Sequence, residues 1–311
     1  MRILVTGAAG YIGSALVRAL APHHQVLATD QTGMDFGSLR GPGVQAVTGN
    51  LAYPKFARSL VTPETGAVFH LASLVSGGAE QNFELGTKVN LDATRDLLEA
   101  CRLAGSAPKF VFASSVAVYG GRGGEITDET PARPRLSYGT QKLVGEILID
   151  DYSRRGFLDG CSLRLPAVMV RPGTANTALT GWVSAIIREP LAGRDYVCPV
   201  APHTGMACIS VRRVVEAFVH ASRLALDEER TFLLPGIPVS AGEMWDAVKD
   251  RAKGRVTFEP DPRIQPLMDA APRRTHSARA EKLGFKGSRD IAEIIREYEE
   301  DHSHTAVARH G

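Results

Sequence analysis

The stretch Arg2-Ile3-Leu4-Val5-Thr6-Gly7-Ala8-Ala9-Gly10-Tyr11-Ile12-Gly13-Ser14-Ala15-Leu16 decides how the rest of this chain is read. Five residues of strand character run into three glycines at the spacing Gly7-x-x-Gly10-x-x-Gly13, and helix-like periodicity begins at Tyr11. Glycines placed in this way permit a tight turn, close approach of a pyrophosphate and close packing of the helix on the strand. The N–H groups at the start of the helix, on Tyr11 and Ile12, then face the phosphates. A glycine pattern alone is weak, but a strand before it and a helix after it are the context that gives it meaning.

Outward from that turn the pattern keeps alternating. Strands are expected at Arg2–Thr6, Gln25–Thr29, Val44–Thr48, Ala67–Leu71, Lys109–Ser114 and Ser162–Met169, with helices at Tyr11–Leu20, Phe56–Leu60, Leu85–Ala104 and Tyr138–Arg155. Strands alternating with helices predict an α/β fold of the Rossmann type, a doubly wound parallel sheet covered on both faces. After Pro172 glycine and proline interrupt more often and the elements shorten. The expected organisation is a nucleotide-binding domain over 1–172, with 206–236 returning to it through Val211–Leu226 and Thr231–Leu234. A smaller C-terminal substrate-binding lobe takes 173–205 and 237–300, closed by a helix over Ser288–Glu300. The tail 301–311, with His302, His304 and His310, reads as flexible.

Composition narrows the function classes. A chain of 311 residues is long enough for a large core. A net charge of +2, with lysine and arginine scattered, argues against nucleic acid or an anionic membrane as partner and leaves small-molecule chemistry. Cys101, Cys161, Cys198 and Cys208 show no paired spacing and no metal pattern. No signal peptide precedes the first strand and no apolar run approaches 18 residues, so the expectation is a soluble, cytoplasmic protein.

The second strand closes on Asp30, 17 residues after Gly13, where a carboxylate binds the hydroxyls of an adenosine ribose. It would repel a 2′-phosphate, and Gln31, Thr32 and Gly33 supply no cation, so NAD is favoured over NADP; the alternative for Asp30 is a simple turn cap. Asn50-Leu51 ends the third strand, where the amide oxygen can accept from the adenine amino group. The segment His70-Leu71-Ala72-Ser73 ends the fourth strand and is expected to pass under the cofactor. Asn90 lies inside a helical pattern that asparagine disfavours, which suggests either an active-site network or a solvated residue.

Chemistry is carried by Tyr138 and Lys142, four residues apart and hence stacked on one helical face. A free tyrosine has a pKa of about 10, and an ammonium beside it favours the phenolate. Lys142 is therefore expected to depress the Tyr138 pKa and to bind the nicotinamide ribose. Phe110-Val111-Phe112-Ala113-Ser114-Ser115 reads as a buried strand ending in hydroxyls at the carboxyl edge of the sheet. Ser115 there can hold a substrate oxygen while Tyr138 takes its proton.

Together, Gly7-x-x-Gly10-x-x-Gly13, Asp30, Ser115 and Tyr138-x-x-x-Lys142 resemble the extended short-chain dehydrogenase/reductases, the superfamily of the NAD-dependent sugar-nucleotide epimerases. Asn50 departs from the aspartate usual there. A narrower resemblance, to the D-erythronate dehydrogenase family, is carried by Phe69–Gly77, Asp151–Phe157, Leu163-Arg164-Leu165-Pro166 with Val170–Gly173, and Ile187–Gly193. It implies NAD-dependent oxidation of the 2-hydroxyl of D-erythronate to 2-oxo-tetronate, with Leu165 and Pro166 beside the cofactor. It also implies a homodimer through the helices Leu85–Ala104 and Tyr138–Arg155. An acidic substrate needs a fixed cation. Arg171 is the first candidate, with Ser76 nearby for hydroxyls, and Arg188 and Arg194 are further options.

Three other readings remain. A nucleotide-sugar epimerase, UDP-glucose 4-epimerase-like, would use the same fold with a larger pocket. A 4,6-dehydratase would place an Asp-Glu pair after the catalytic hydroxyl, where Val116-Ala117-Val118 stands instead. A non-catalytic NAD sensor would have no use for the Tyr138–Lys142 proton acceptor.

Overall fold

The computed structural model describes residues 1–121, 123–173 and 179–307, with the side chains of residues 38 and 303–307 not described. Residues 174–178 of the expected lobe, and 308–311 of the expected tail with His310, lie outside the described residues. The chain divides into two compact units. The first comprises Met1–Gly120, Pro131–Leu165 and Val215–Phe232, and the second Gly121–Thr130, Pro166–Val214 and Leu233–Gly311.

The first unit is built on a seven-stranded sheet: β1 (Arg2–Thr6), β2 (Gln25–Asp30), β3 (Val44–Thr48), β4 (Thr65–His70), β5 (Lys109–Ser115), β6 (Asp159–Leu165) and β7 (Thr231–Leu233). Their order is β7-β6-β5-β4-β1-β2-β3. Pairs β1–β2, β2–β3, β1–β4, β4–β5 and β5–β6 are parallel. The central strands read as continuous apolar runs because helices cover both faces. Ile3, Leu4, Val5, Phe110, Val111 and Phe112 are each no more than 1% exposed.

The chain winds outward from β1 through β2 to β3 and then crosses to β4 on the other side of β1. That reversal opens a crevice at the carboxyl ends of β1 and β4, the place where ligands bind in open α/β sheets. Gly7, Asp30, Leu71 and Ser115 stand at the carboxyl ends of β1, β2, β4 and β5 respectively.

The second unit packs its own core, including Met169, Trp182, Ile186, Ile187, Cys208 and Met244. At its centre Gly205–Ser210 runs parallel to Ala167–Met169 and antiparallel to Ile237–Ser240. Two short parallel pairs, Tyr196–Cys198 with Val256–Phe258 and Glu125–Ile126 with Arg274–Thr275, complete its strands.

Several elements differ from expectation for physical reasons. The strand read as Ser162–Met169 is two strands broken at Pro166, which has no N–H to donate to a ladder. Gly205–Ser210 stays in the second unit as a fully buried central strand, so the returning segment is Val215–Phe232 rather than 206–236. The helix read as Leu85–Ala104 is interrupted. A short helix Phe83–Gly86, capped by Asn82 Oδ1 accepting from the Leu85 N–H at 3.0 Å, leads into a widened π-helical segment, Thr87–Asp92, before Ala93–Ala104. The last helix runs Ile291–Val307, beyond Glu300.

Candidate active site

The glycine turn is shaped by contacts that only glycine tolerates. Gly7 adopts φ +68°, and a Cβ there would stand 2.7 Å from the Ala72 nitrogen. A Cβ on Gly13 would stand 2.0 Å from the Gly7 carbonyl oxygen. At Gly10 it would meet the same oxygen at 3.1 Å. Gly10 opens the helix Tyr11–Leu20 without a side-chain cap and without an acidic residue in its first turn. The helix end is thus left for an anion.

Asp30 is fixed beside this turn. Its Oδ2 accepts from the Ala9 N–H at 2.9 Å and its Oδ1 from the Gln31 N–H at 2.8 Å, which leaves acceptor capacity on both oxygens. Asn50 is exposed, and its Oδ1 accepts from the Ala52 N–H at 2.9 Å, closing an Asx turn. The oxygen expected to meet adenine is thus already bonded once. Leu51 packs into the core with Leu4, Leu27 and Ala57.

The end of β4 is held by a hydroxyl. Leu71 and Ala72 both donate their N–H groups to Thr6 Oγ1 at 3.2 Å. With that oxygen accepting twice, the Thr6 hydroxyl hydrogen points at His70 Nδ1, 2.7 Å away. His70 Nε2–H then donates to Thr94 Oγ1 at 2.9 Å, and Thr94 donates to the Asn90 carbonyl at 2.8 Å. Burial, followed by the nearby Lys142 charge, lowers the His70 pKa to about 3, so this ring is a neutral structural link.

Asn90 is 1% exposed, and its side chain is fully committed. Its Oδ1 accepts from Ser73 Oγ at 2.9 Å and the Leu74 N–H at 2.7 Å. Its Nδ2 donates to the Leu74 carbonyl at 3.0 Å and to Gln141 Oε1 at 2.7 Å. Sequence had offered Asn90 as a cofactor-binding or network residue, and these four bonds place it in the network, with its donors and acceptor already engaged. Asn90 fixes Ser73, whose hydroxyl faces the Tyr138 phenol.

Tyr138 and Lys142 lie on the helix Ser137–Arg154. Two glycines on that helix bring it down onto β5 and the turn that follows. A Cβ on Gly139 would stand 2.3 Å from the Ala117 carbonyl oxygen, and one on Gly145 3.0 Å from the Phe112 ring. Ser115, the last residue of β5, caps that turn by accepting from the Ala117 N–H at 3.1 Å. Its hydroxyl hydrogen is left for the phenol of Tyr138 or for a substrate oxygen.

Lys142 is 2% exposed. Its ammonium lies 4.6 Å from the Phe112 ring centre and 5.6 Å from that of Tyr138. Burial pushes the Tyr138 phenol up to about 12, against the pull of the Ser115 and Ser73 hydroxyls. Burial also lowers Lys142 to about 7, with the Glu146 carboxylate acting to raise it. Lys142 was expected to depress the tyrosine; in the protein by itself desolvation sets the direction for both groups, opposed by the Ser115 and Ser73 hydroxyls at Tyr138 and by the Glu146 carboxylate at Lys142.

Ser76 starts the helix Ser76–Gln81 and is half-buried. Leu165 closes β6 in register with Ser115, and Pro166 follows as the first residue of the second unit. Arg171 belongs to that second unit. Its backbone is held at both ends by one helix face, its N–H donating to Ser184 Oγ at 3.0 Å and its carbonyl accepting from Arg188 Nη1 at 2.7 Å. Arg188 and Arg194 both pair with Glu189, at 2.7 and 2.6 Å, which weakens their case as ligands of a substrate carboxylate.

Sequence reading missed one cluster in the first unit. Glu146 is 3% exposed and accepts from Arg164 Nε and Nη2 at 2.9 and 2.6 Å. It also accepts from Ser114 Oγ. The available signal was Glu146 at i+4 from Lys142, together with Arg164 set between the apolar Leu163 and Leu165. Among the described residues no group of three His, Cys, Asp or Glu is placed to hold a metal ion, and no helix is long and apolar enough to cross a membrane.

These features fit a dinucleotide: a glycine cradle that any Cβ would fill, an uncapped helix start, a carboxylate at the end of β2 beside that turn and a buried ammonium. A family model, the NAD dependent epimerase/dehydratase family, matches residues 3–231. The D-erythronate dehydrogenase of Cupriavidus necator is 43% identical over 319 aligned residues, covering 97% of this chain and 98% of that protein. The D-erythronate dehydrogenase of Haemophilus influenzae is 38% identical, covering 96% and 98%. A crystal structure described as the nucleoside-diphosphate-sugar epimerase from Agrobacterium tumefaciens superposes with a TM-score of 0.90 at 34% identity, covering 98% of this chain and 95% of that one.

Proposed function

Since the chain belongs to the NAD dependent epimerase/dehydratase family, we propose that it oxidises the 2-hydroxyl of a four-carbon sugar acid, D-erythronate to 2-oxo-tetronate. That it is an NAD-dependent oxidoreductase follows from the family and the full-length relatives. The substrate reading rests on one observation above the others: two D-erythronate dehydrogenases align with this chain almost end to end.

In this reading Gly7, Gly10, Tyr11, Ile12 and Gly13 hold the pyrophosphate and Asp30 the adenosine ribose. Leu71, Ala72, Ser73, Leu165 and Pro166 wall the nicotinamide half, whose ribose Tyr138 and Lys142 hold. Bound NAD supplies the hydride acceptor and a positively charged ring. Ser115 donates to the reacting oxygen and fixes it. Tyr138 Oη, as phenolate, accepts the proton of the C2 hydroxyl, with the Lys142 ammonium one turn away and the Ser115 and Ser73 hydroxyls opposing the desolvation that holds the phenol near 12. Arg171 is assigned to the substrate carboxylate and Ser76 to a hydroxyl. Residues 173–205 and 237–300 are assigned to substrate binding.

The exposed apolar side chains Phe83, Leu85, Leu103 and Ile147 support a homodimer through the first unit. The likeness to a structure described as a sugar-nucleotide epimerase favours a second reading, UDP-glucose 4-epimerase-like chemistry. NADH formation measured across four-carbon sugar acids and across UDP- and GDP-sugars separates the two. Oxidation of D-erythronate is expected, and turnover confined to nucleotide sugars overturns the assignment.

A further inference from the structure

Tyr138, Lys142 and Glu146 follow one another at intervals of four on the helix Ser137–Arg154 and so form a single stripe, one turn apart. The carboxylate at the end of the stripe is almost wholly buried, and its partners come from two strands. Arg164 on β6 grips it with two nitrogens, at 2.9 and 2.6 Å. Arg164 also donates through Nη1 to the Tyr119 hydroxyl at 2.9 Å, with its guanidinium 5.0 Å from the Tyr119 ring centre. Ser114, the neighbour of Ser115 on β5, donates to Glu146 through its hydroxyl.

We propose that Glu146 is a positioning residue that keeps Lys142 an ammonium and, through Ser114 and Arg164, fixes the strand end carrying Ser115. The proposal rests on the reading of Ser115, Tyr138 and Lys142 given above. A buried carboxylate one turn from a buried ammonium favours the charged form of the latter. The same carboxylate compensates the guanidinium of Arg164, which grips it from β6. Without that carboxylate Lys142 would face a second uncompensated cation.

The other charges on the elements around this helix are spoken for. His70, on β4, packs against the Phe112 ring that Lys142 also meets, and is neutral. Lys88 pairs with Glu84, and Asp92 with Arg95. Asp96 pairs with Arg58, and Glu99 with Arg102. Glu80 accepts from the Ser137 N–H, and Asp159 on β6 pairs with Lys109 and Arg230. Glu146 is the group whose charge acts on Lys142.

The test reads the proton on Lys142 itself. In cofactor-free protein carrying ¹³C-labelled lysine, the Cε resonance of Lys142, assigned by its loss in Lys142→Met, is titrated in wild type, Glu146→Gln and Glu146→Asp. The expected result is a midpoint at least about one unit lower in Glu146→Gln, with Glu146→Asp close to wild type. Above that midpoint the ammonium population, and with it kcat at mildly alkaline pH, falls about tenfold, while KM for NAD changes far less.

Should Glu146→Gln fail to fold because it strands Arg164, the pair replacement Glu146→Gln with Arg164→Met removes both charges. It should still lower the midpoint relative to wild type. Unchanged midpoints in whichever of these variants folds overturn the proposal and leave Glu146 a purely structural ion pair. Normal turnover by Lys142→Met would instead overturn the role given to Lys142, independently of the titration.

Discussion

Gly139 and Ala117 are packed so closely that a single methyl on the glycine would lie 2.3 Å from the alanine carbonyl oxygen. This contact seats the helix bearing Tyr138 on the turn that Ser115 caps, so it sets the distance between the hydroxyl groups of Tyr138 and Ser115 proposed to act on the substrate. Gly139→Ala is expected to destabilise the fold by about 1–3 kcal/mol through overpacking. Its kcat should fall by about 10- to 100-fold, with much less change in the affinity for NAD, because the cofactor cradle lies elsewhere. Steady-state kinetics beside a urea titration would show it; a stable variant with unchanged kcat would mean the spacing is not critical.

Tyr138→Phe removes the hydroxyl proposed as proton acceptor but keeps the ring over which Lys142 lies. Turnover is expected to drop by about 10³-fold or more, with NAD affinity within a few-fold of wild type by calorimetry. Residual activity near wild type would assign the base to another group.

Gly13→Ala places a methyl 2.0 Å from the Gly7 carbonyl oxygen, against backbone that has no room to move. NAD binding is expected to be lost before the fold is, with a stability cost of about 1–3 kcal/mol. Retained NAD affinity in a folded Gly13→Ala protein would contradict the cradle described for the turn.

Lys142 gives the cofactor-free protein a pH dependence of definite sign. Its folded pKa of about 7 lies below the ordinary value of 10.5. Between those values the unfolded chain holds a proton that the folded protein lacks, so stability contributed by this group rises with pH through the window and is lost as pH falls toward 7. The difference in unfolding free energy between Lys142→Met and wild type should therefore narrow from pH 7 to pH 10. A difference that stays constant across that range would place the ammonium in a more hydrated setting.

The fold was largely readable because its two determinants are local. Near-continuous apolar strands and the Gly7–Gly13 spacing each act within a few residues, and β1, β3 and the helix Tyr11–Leu20 lie where their patterns put them. The misreadings arose where distant partners decide. Gly205–Ser210 has the composition of a main-sheet strand, but its neighbours are Ala167–Met169 and Ile237–Ser240. Asn90 was legible as unusual for a helix, yet its commitment to Ser73, Leu74 and Gln141 depends on a widened turn that periodicity does not register. The raised Tyr138 phenol of the cofactor-free protein was not legible for a similar reason: spacing reveals that two groups are neighbours, not how much water remains around them.

The hydrogen-bonded line from Thr6 through His70 and Thr94 to the backbone of Asn90 limits how this enzyme can diversify. Each member satisfies the next, so losing one strands a buried polar atom, whereas exchanging Thr6 and His70 together removes both ends of their shared bond at once and leaves the Ala72 N–H, which Thr6 Oγ1 also accepts, as the group to be satisfied anew. Thr6 and His70 are therefore expected to tolerate change as a pair better than singly, which a double-mutant cycle on unfolding free energy would register as non-additivity. Change along this line is therefore expected to come by concerted replacement more readily than one position at a time.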